Sequence, residues 1–142
     1  MLLPPVEVLK YFSPVCDVFG KHRVFRSRFI TQEFWSTQYE NDRVLQRTVS
    51  IRFWISEDEL QQNYSWLDSG LQNEHEIQPG VFFGNADCGE SDEIFLRVGD
   101  IKIRGDVSSE TGYTQIEFET SPELFTEELW DSHRTWFEEH TI

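Results

Sequence analysis

The sequence predicts one α+β domain over residues 1–142: an antiparallel sheet of about five to six strands, with a mid-chain helix and a C-terminal amphipathic helix packed on it. Three features lead to this fold class. Several short segments alternate apolar and polar residues, the turns that join them are too short for parallel crossovers, and two segments repeat apolar residues at helical spacing. With 38% hydrophobic and 15% aromatic residues, the chain can bury a core and differs from an acidic disordered tail.

The N-terminal third is predicted to contain short elements. Residues 6–19 predict a short helix or turn. The Val, Phe and Ile content predicts a strand over residues 23–31, and residues 34–39 could continue the extended chain. Asn41 and Asp42 then predict a turn.

The clearest strand is predicted over residues 44–55, which alternate with a period of two. Its apolar residues share one parity, which Arg47 interrupts, and its polar residues take the other. Trp54 falls on the polar side. The apolar set consists of Leu45, Val49, Ile51, Phe53 and Ile55.

A helix is predicted to start after Ser56, because Ser56 and Glu59 form a capping box and acidic residues fill the first turn. The apolar residues of this segment recur at helical spacing and share one face, and Gly70 suits its C-terminal end. That face consists of Leu60, Tyr64, Leu67 and Leu71.

The second half of the chain predicts a loop over residues 72–80, a short strand over 81–83 and a polar loop over 84–91. An alternating meander follows, with turns at residues 99–100 and 108–112. These short connections favour antiparallel neighbours.

The last helix is predicted after Ser121, which caps it, with Pro122 at its first position. Apolar residues cluster on one side and acidic residues on the other, so we expect this helix to lie on the sheet. His133 falls within the apolar side and is expected to be a neutral core residue. The apolar side consists of Phe125, Leu129, Trp130, Trp136 and Phe137.

Charge is divided unevenly along the chain. Residues 1–54 carry eight Lys/Arg and five Asp/Glu, whereas residues 55–142 carry four and 21, so net charges of +3 and −17 combine to −14. Like charges on a compact surface repel, so this imbalance indicates a partner rather than a need of the fold. It argues against anionic membranes and direct nucleic-acid binding, although the basic stretch 21–28 alone resembles a nucleic-acid-binding strand.

The sequence carries no motif that predicts catalysis or cofactor binding. It has no GxSxG, P-loop, GxGxxG or HExxH pattern, and the oxygen-rich loop 85–93 lacks EF-hand spacing. Alternating acids such as Glu117 and Glu119 are expected on any solvated strand. The two cysteines, the lack of a signal-peptide pattern and the lack of a long apolar segment indicate a cytoplasmic protein. We therefore expect no enzyme, no metal and no cofactor.

A basic protein is the partner that the acidic sequence predicts. The two helices would supply the acids that attract it, and tryptophans at or beyond the edge of the apolar helix faces would supply anchors. The predicted partner-binding residues are Glu57, Asp58, Trp66, Asp68, Glu127, Glu128, Trp130 and Asp131.

Size and charge indicate an acidic inhibitor that occludes a basic toxin, such as a bacterial immunity protein or antitoxin, or a phage anti-defence inhibitor. The alternative hypothesis is a dimeric acidic chaperone for a secreted effector, which requires a homodimer with apolar grooves. A third hypothesis is a small-ligand or enzyme domain that uses the loop 87–93. The sequence leaves both a monomer and a homodimer open.

Overall fold

One antiparallel sheet of seven strands organises the part of the chain that the computed structural model describes, residues 3–67, 74–85 and 93–141. In chain order the strands are Arg28–Tyr39 (β1), Asp42–Ser56 (β2), His75–Gln78 (β3), Val81–Asn85 (β4), Glu93–Val98 (β5), Ile101–Glu110 (β6) and Tyr113–Glu119 (β7). Across the sheet they lie in the order β1-β2-β7-β6-β5-β4-β3, and every neighbouring pair is antiparallel. The predicted fold class is confirmed, with more strands than expected.

Six short helices accompany the sheet within the described residues: Val6–Tyr11 (α1), Ser13–Phe19 (α2), Lys21–Phe25 (α3), Glu57–Asn63 (α4), Glu127–Ser132 (α5) and Arg134–Glu139 (α6). Each contributes a buried side chain to the same core cluster as the inward residues of the strands. The helices therefore gather on one face of the sheet. None of the described helices is long and apolar enough to cross a membrane.

The strand predicted over residues 44–55 is confirmed as β2, which is 15 residues long. Its inward residues from Val49 to Ile55 are buried in the core. β7 pairs with β2 only from Ser50 to Ser56, so the first half of β2 pairs with β1 alone. The two strands therefore extend past β7 as a two-stranded hairpin, residues 34–46, which we call the arm.

The strand predicted over residues 23–31 is wrong for its first residues, because residues 21–25 form α3 and β1 starts at Arg28. Gly20 has a φ of 100°, a left-handed conformation that lets the chain reverse between α2 and α3. Val24, which favoured a strand in the sequence, is instead buried in the core from this single turn of helix. β1 continues through residues 34–39, as predicted, and the predicted loop 72–80 contains β3.

The mid-chain helix begins as predicted but is shorter. The Oγ of Ser56 accepts a hydrogen bond from the Glu59 N–H at 3.3 Å, which confirms the cap. α4 ends at Asn63, and residues 65–67 form a 3-10 turn, so the predicted apolar face does not belong to one helix. Gly70 and Leu71 lie outside the described residues.

The predicted C-terminal helix is divided in two at His133, where φ is −131° and ψ is 30°. Thr126 caps α5 by accepting a hydrogen bond from the Leu129 N–H at 3.1 Å, whereas Ser121 caps only a short 3-10 turn. His133 is not a core residue: its side chain is 35% exposed, with Nε2 3.5 Å from an oxygen of Glu7. The helix break places this histidine at the surface.

Aromatic rings join the helices to the centre of the sheet. The ring centroid of Phe19 lies 5.2 Å from that of Phe53 and 6.0 Å from that of Phe118. Gly105 of β6 is directly opposite Phe118 in register. A Cβ atom at Gly105 would overlap the carbonyl oxygen of Glu117 and lie 2.9 Å from Cδ1 of Phe118. Phe118 can therefore take this position only because residue 105 has no side chain.

Replacing Gly105 with alanine is expected to lower the free energy of unfolding by about 1–3 kcal/mol, since the added methyl group overpacks the core. Urea unfolding followed by fluorescence measures the change. Ser108→Ala, on the exposed side of the same strand, is the control and should change the free energy of unfolding by less than about 0.5 kcal/mol. An unchanged midpoint for Gly105→Ala would show that the backbone of β7 at Glu117 and the ring of Phe118 can move aside without loss of stability.

Candidate functional site

The acids predicted to bind a partner lie on the first turns of two helices. Glu57 and Asp58 begin α4, and Glu127 and Glu128 begin α5. All four side chains are exposed. Their exposure agrees with the prediction that they decorate a folded surface.

The structure does not bring these two sets of acids together. α4 directly follows Ser56 at the end of β2, whereas α5 packs near Arg47, whose guanidinium lies 4.0 Å from the ring centroid of Trp130. At about 3.3 Å per residue, the stretch of β2 between Ser56 and Arg47 spans roughly 30 Å. The helical acids therefore form two separate patches. Asp131 belongs to the second patch, where it pairs with Arg134.

The two predicted anchors, Trp66 and Trp130, are half-buried and pack within the chain. The ring centroid of Trp66 lies 4.6 Å from that of Phe83, and Trp130 stacks on Phe137 at 5.0 Å with 12° between the ring planes. Both indoles are therefore engaged in packing within the chain. Asp68 lies outside the described residues.

Four acids lie close together on the side of the sheet that faces away from the helices, which we call the open face. Glu93 of β5, Asp106 of β6 and Glu117 of β7 are direct cross-strand neighbours. Glu119 lies two residues along β7, so its side chain is on the same face. Because strands are about 4.8 Å apart, the three strands place these carboxylates within a patch roughly 10 Å wide. We call these four residues the sheet acids.

Two arginines border the sheet acids. Nε and Nη2 of Arg52 donate to Oε2 of Glu117 at 3.1 and 2.9 Å. Arg104 is directly opposite Glu119 in register. The pKa of Glu119 is nevertheless raised, first because surrounding atoms remove the carboxyl from water, and then because Asp106 and Glu117 add negative charge nearby. A bound cation would offset this repulsion.

A shallow hollow of about 110 Å³ lies among three of the sheet acids, Glu93, Asp106 and Glu119, and Arg104. A water molecule takes about 30 Å³ in the liquid, so the hollow has the volume of roughly three or four waters. Within the described ranges, no group of three or more His, Cys, Asp or Glu residues is arranged to hold a metal ion. The hollow has room for a group the size of an ammonium or guanidinium.

An exposed tryptophan lies on the open face between the sheet acids and a group of arginines, with Arg23, Arg28 and Arg52 around the same hollow. Trp54 is two residues along β2 from Arg52 on the open face, and is directly opposite Gln115. It is 45% exposed, while its carbonyl accepts a hydrogen bond from Nη1 of Arg23 at 3.0 Å. The sequence placed Trp54 on the polar parity of its strand. An aromatic residue among the outward-facing polar positions of a strand was the sequence pattern that could have indicated an exposed anchor.

Replacing Glu119 with glutamine is expected to raise the urea midpoint at pH 7. The folded chain holds a proton on Glu119 more tightly than the unfolded chain does, so the wild-type free energy of unfolding falls as pH rises through the raised pKa. Glutamine resembles the protonated acid, so the variant does not lose stability as pH rises. The difference in urea midpoint between variant and wild type should vanish below about pH 4, where the carboxyl is protonated in both the folded and the unfolded chain. Glu128→Gln, exposed on α5, controls for the loss of one charge. A variant less stable than the wild type at pH 7 would contradict the prediction.

The comparisons with known proteins found no match. A scan against protein-family models, a search of curated proteins and a search of solved structures each returned nothing that resembles this chain. The functional proposal therefore rests on the geometry of the described residues and on the charge of the sequence.

Proposed function

We propose that this chain is an acidic inhibitor that binds a basic protein through the open face and occludes its working surface. The observation that carries the proposal is the cluster of four sheet acids on the face opposite the helices. The exposed Trp54 lies on the same face, one strand away from Glu117 and next to Arg52. Interfaces of this kind combine an aromatic anchor with charges that orient the partner.

The charge of the whole chain supports attraction at a distance. A net charge of −14 favours encounter with a cationic protein and speeds association. The exposed helical acids at residues 57–58 and 127–128 add to the negative potential around the chain, although they lie outside the proposed contact. At physiological salt, charges act directly over about 8 Å, so the contact site must supply its own complementary groups.

The contact itself is expected at the sheet acids. A Lys or Arg side chain that enters the hollow would neutralise the charges that raise the pKa of Glu119. Trp54 would supply apolar contact area beside it. Tryptophan is among the residues that dominate the energetics of interfaces. The acids would then set the association rate and register, and the indole would slow dissociation.

Such a surface fits the neutralisation of a protein that acts on nucleic acid. Proteins of this class present basic surfaces to phosphates, and an array of carboxylates on a rigid sheet can occupy the same surface. We therefore propose a bacterial immunity protein or antitoxin, or a phage anti-defence inhibitor. It would act in the cytoplasm and carry out no catalysis of its own.

A dimeric chaperone for a secreted effector is the second candidate, and the arm favours it. Phe34, Trp35, Tyr39 and Val44 of the arm are 39%, 60%, 73% and 36% exposed. Exposed apolar side chains on a two-stranded hairpin are stabilised when another chain packs on them. Sedimentation equilibrium separates the two candidates, because the chaperone requires a stable homodimer and the inhibitor does not.

Removing two sheet acids is expected to slow association with the natural partner, which is first isolated by cross-linked pull-down from native cells. Asp106→Asn/Glu119→Gln should lower the association rate about tenfold, because it removes charge at the contact. Glu57→Gln/Asp58→Asn removes the same charge from α4 and should lower the rate less than about twofold. Stopped-flow fluorescence gives both rates.

Salt provides the control for this experiment. The difference between the two variants should shrink at about 0.5 M salt, where charges are screened within a few ångströms. Equal effects of the two variants at low salt would show that total charge matters and the open face does not. Recovery of only neutral or anionic companions in the pull-down would overturn the proposal.

Replacing Trp54 with alanine is expected to weaken partner binding about thirtyfold, or about 2 kcal/mol, mainly through faster dissociation. Surface plasmon resonance separates the two rates, and circular dichroism checks that the variant is folded. Trp35→Ala on the arm is the matched control and should leave affinity unchanged. If Trp35→Ala weakens binding more than Trp54→Ala does, the arm and not the open face is the docking surface.

A further inference from the structure

A cavity of about 850 Å³ opens at the outer edge of β1, where the end of α3, the end of α6 and the N-terminal residues meet. Its walls include the apolar side chains of Phe25, Phe29, Ile30 and Trp136. Sites for small molecules typically have about 300–1,000 Å³ and mostly apolar walls with a few polar groups. This cavity has both properties.

The walls of the cavity are held in place by the C-terminal segment. The Thr31 N–H donates to the carbonyl of His140 at 2.7 Å, and Thr141 forms a parallel bridge with Thr31. The ring centroid of Trp136 lies 5.7 Å from that of Phe29 and 4.1 Å from that of His140. These contacts fix the end of α6 against β1, so the cavity is preformed.

Arg26 and Arg28 also line the cavity. Neither makes an ion pair with any residue in the part of the chain that the structure describes. Arg28 is directly opposite Arg52 in register, and like charges in that arrangement are unfavourable. Arg52 is bonded to Glu117, whereas Arg28 has no ion-pair partner among the described residues. An anionic ligand would supply the missing counter-charge.

The local charge is positive here although the whole chain is strongly acidic. Residues 21–28 include Lys21, Arg23, Arg26 and Arg28 and no acid. Charges farther away than about 8 Å are largely screened at physiological salt, so distant acids act weakly at this site. Among the residues that line the cavity, Glu139 is the acid. An entering anion therefore meets two guanidinium groups against one carboxylate.

We propose that this cavity binds a single-chain amphiphile with an anionic head group, either a carboxylate or a phosphate. The apolar chain would lie against Phe25, Phe29 and Trp136, and the head group would lie between Arg26 and Arg28. Guanidinium groups match the oxygens of carboxylate and phosphate with paired hydrogen bonds. The inference does not depend on the proposed inhibitor function, because none of these residues belongs to the sheet acids.

Isothermal titration calorimetry with the full chain tests the site, using three probes that share a dodecyl chain, below the concentrations at which they form micelles. Dodecanoate and dodecyl phosphate carry the two proposed head groups and show which one is preferred. Dodecyltrimethylammonium reverses the charge. At least one anionic probe is expected to bind at a single site, with an affinity at least about tenfold higher than that of the cationic probe.

Variants separate the head-group contact from the apolar wall. Arg26→Gln/Arg28→Gln should weaken binding of the anionic probe roughly tenfold to hundredfold, because it removes the charged hydrogen-bond donors. Lys10→Gln/Arg43→Gln removes the same charge from two exposed positions that do not line the cavity and should have no effect. Phe25→Ala removes part of the apolar wall and should weaken binding of the anionic probe. Because Phe25 is 43% exposed, the variant should still fold, which circular dichroism checks.

Three results would overturn the proposal. They are equal or tighter binding of the cationic probe, an unchanged affinity in Arg26→Gln/Arg28→Gln, and no binding of either anionic probe at about 1 mM.

Discussion

The packing of Phe19 from α2 on Phe53 and Phe118 of the central strands is the interaction on which the rest of the structure depends. It defines the inner face of β2 and β7, and Gly105 gives Phe118 the space to lie there. Because side chains alternate along a strand, burial of one face sends every second residue outward. The charged residues that the core excludes therefore collect on the open face, and the same contact determines where the core lies and which groups can meet a partner.

The uneven charge along the sequence places acidic residues on one side of the sheet and basic residues on the other. One register row contains Glu93, Asp106 and Glu117 on β5, β6 and β7, followed by Arg52 and Arg28 on β2 and β1. The acidic and basic sides meet where Arg52 bonds Glu117. Partly exposed ion pairs contribute little to stability, so this arrangement matters chiefly for what approaches the sheet. The acids of β5, β6 and β7 and the arginines of β1 and β2 therefore form two oppositely charged halves of one face, with Trp54 at the basic half.

Local pattern was sufficient for some elements and insufficient for others. β2 was predictable because its inward residues recur at every second position over most of its length. α3 was not, because Val24 and Phe25 favour a strand locally and only the reversal at Gly20, with burial of Val24 in the core, selects a helix. The break at His133 was also missed, since the apolar side of that segment continues across it and only packing on the sheet divides it into α5 and α6.

Taken alone, the sequence determined the fold class, the inward parity of β2, the cap at Ser56 and the unequal charge of the two parts, because each depends on composition or on spacing between near neighbours. Only the tertiary structure decided which distant charges became neighbours. Strand register, which is set by hairpin geometry and by burial of the inner face, aligned Glu93, Asp106 and Glu117. It also decided that Trp66 packs inward while Trp54 meets solvent, because burial depends on which surfaces the assembled helices and strands cover.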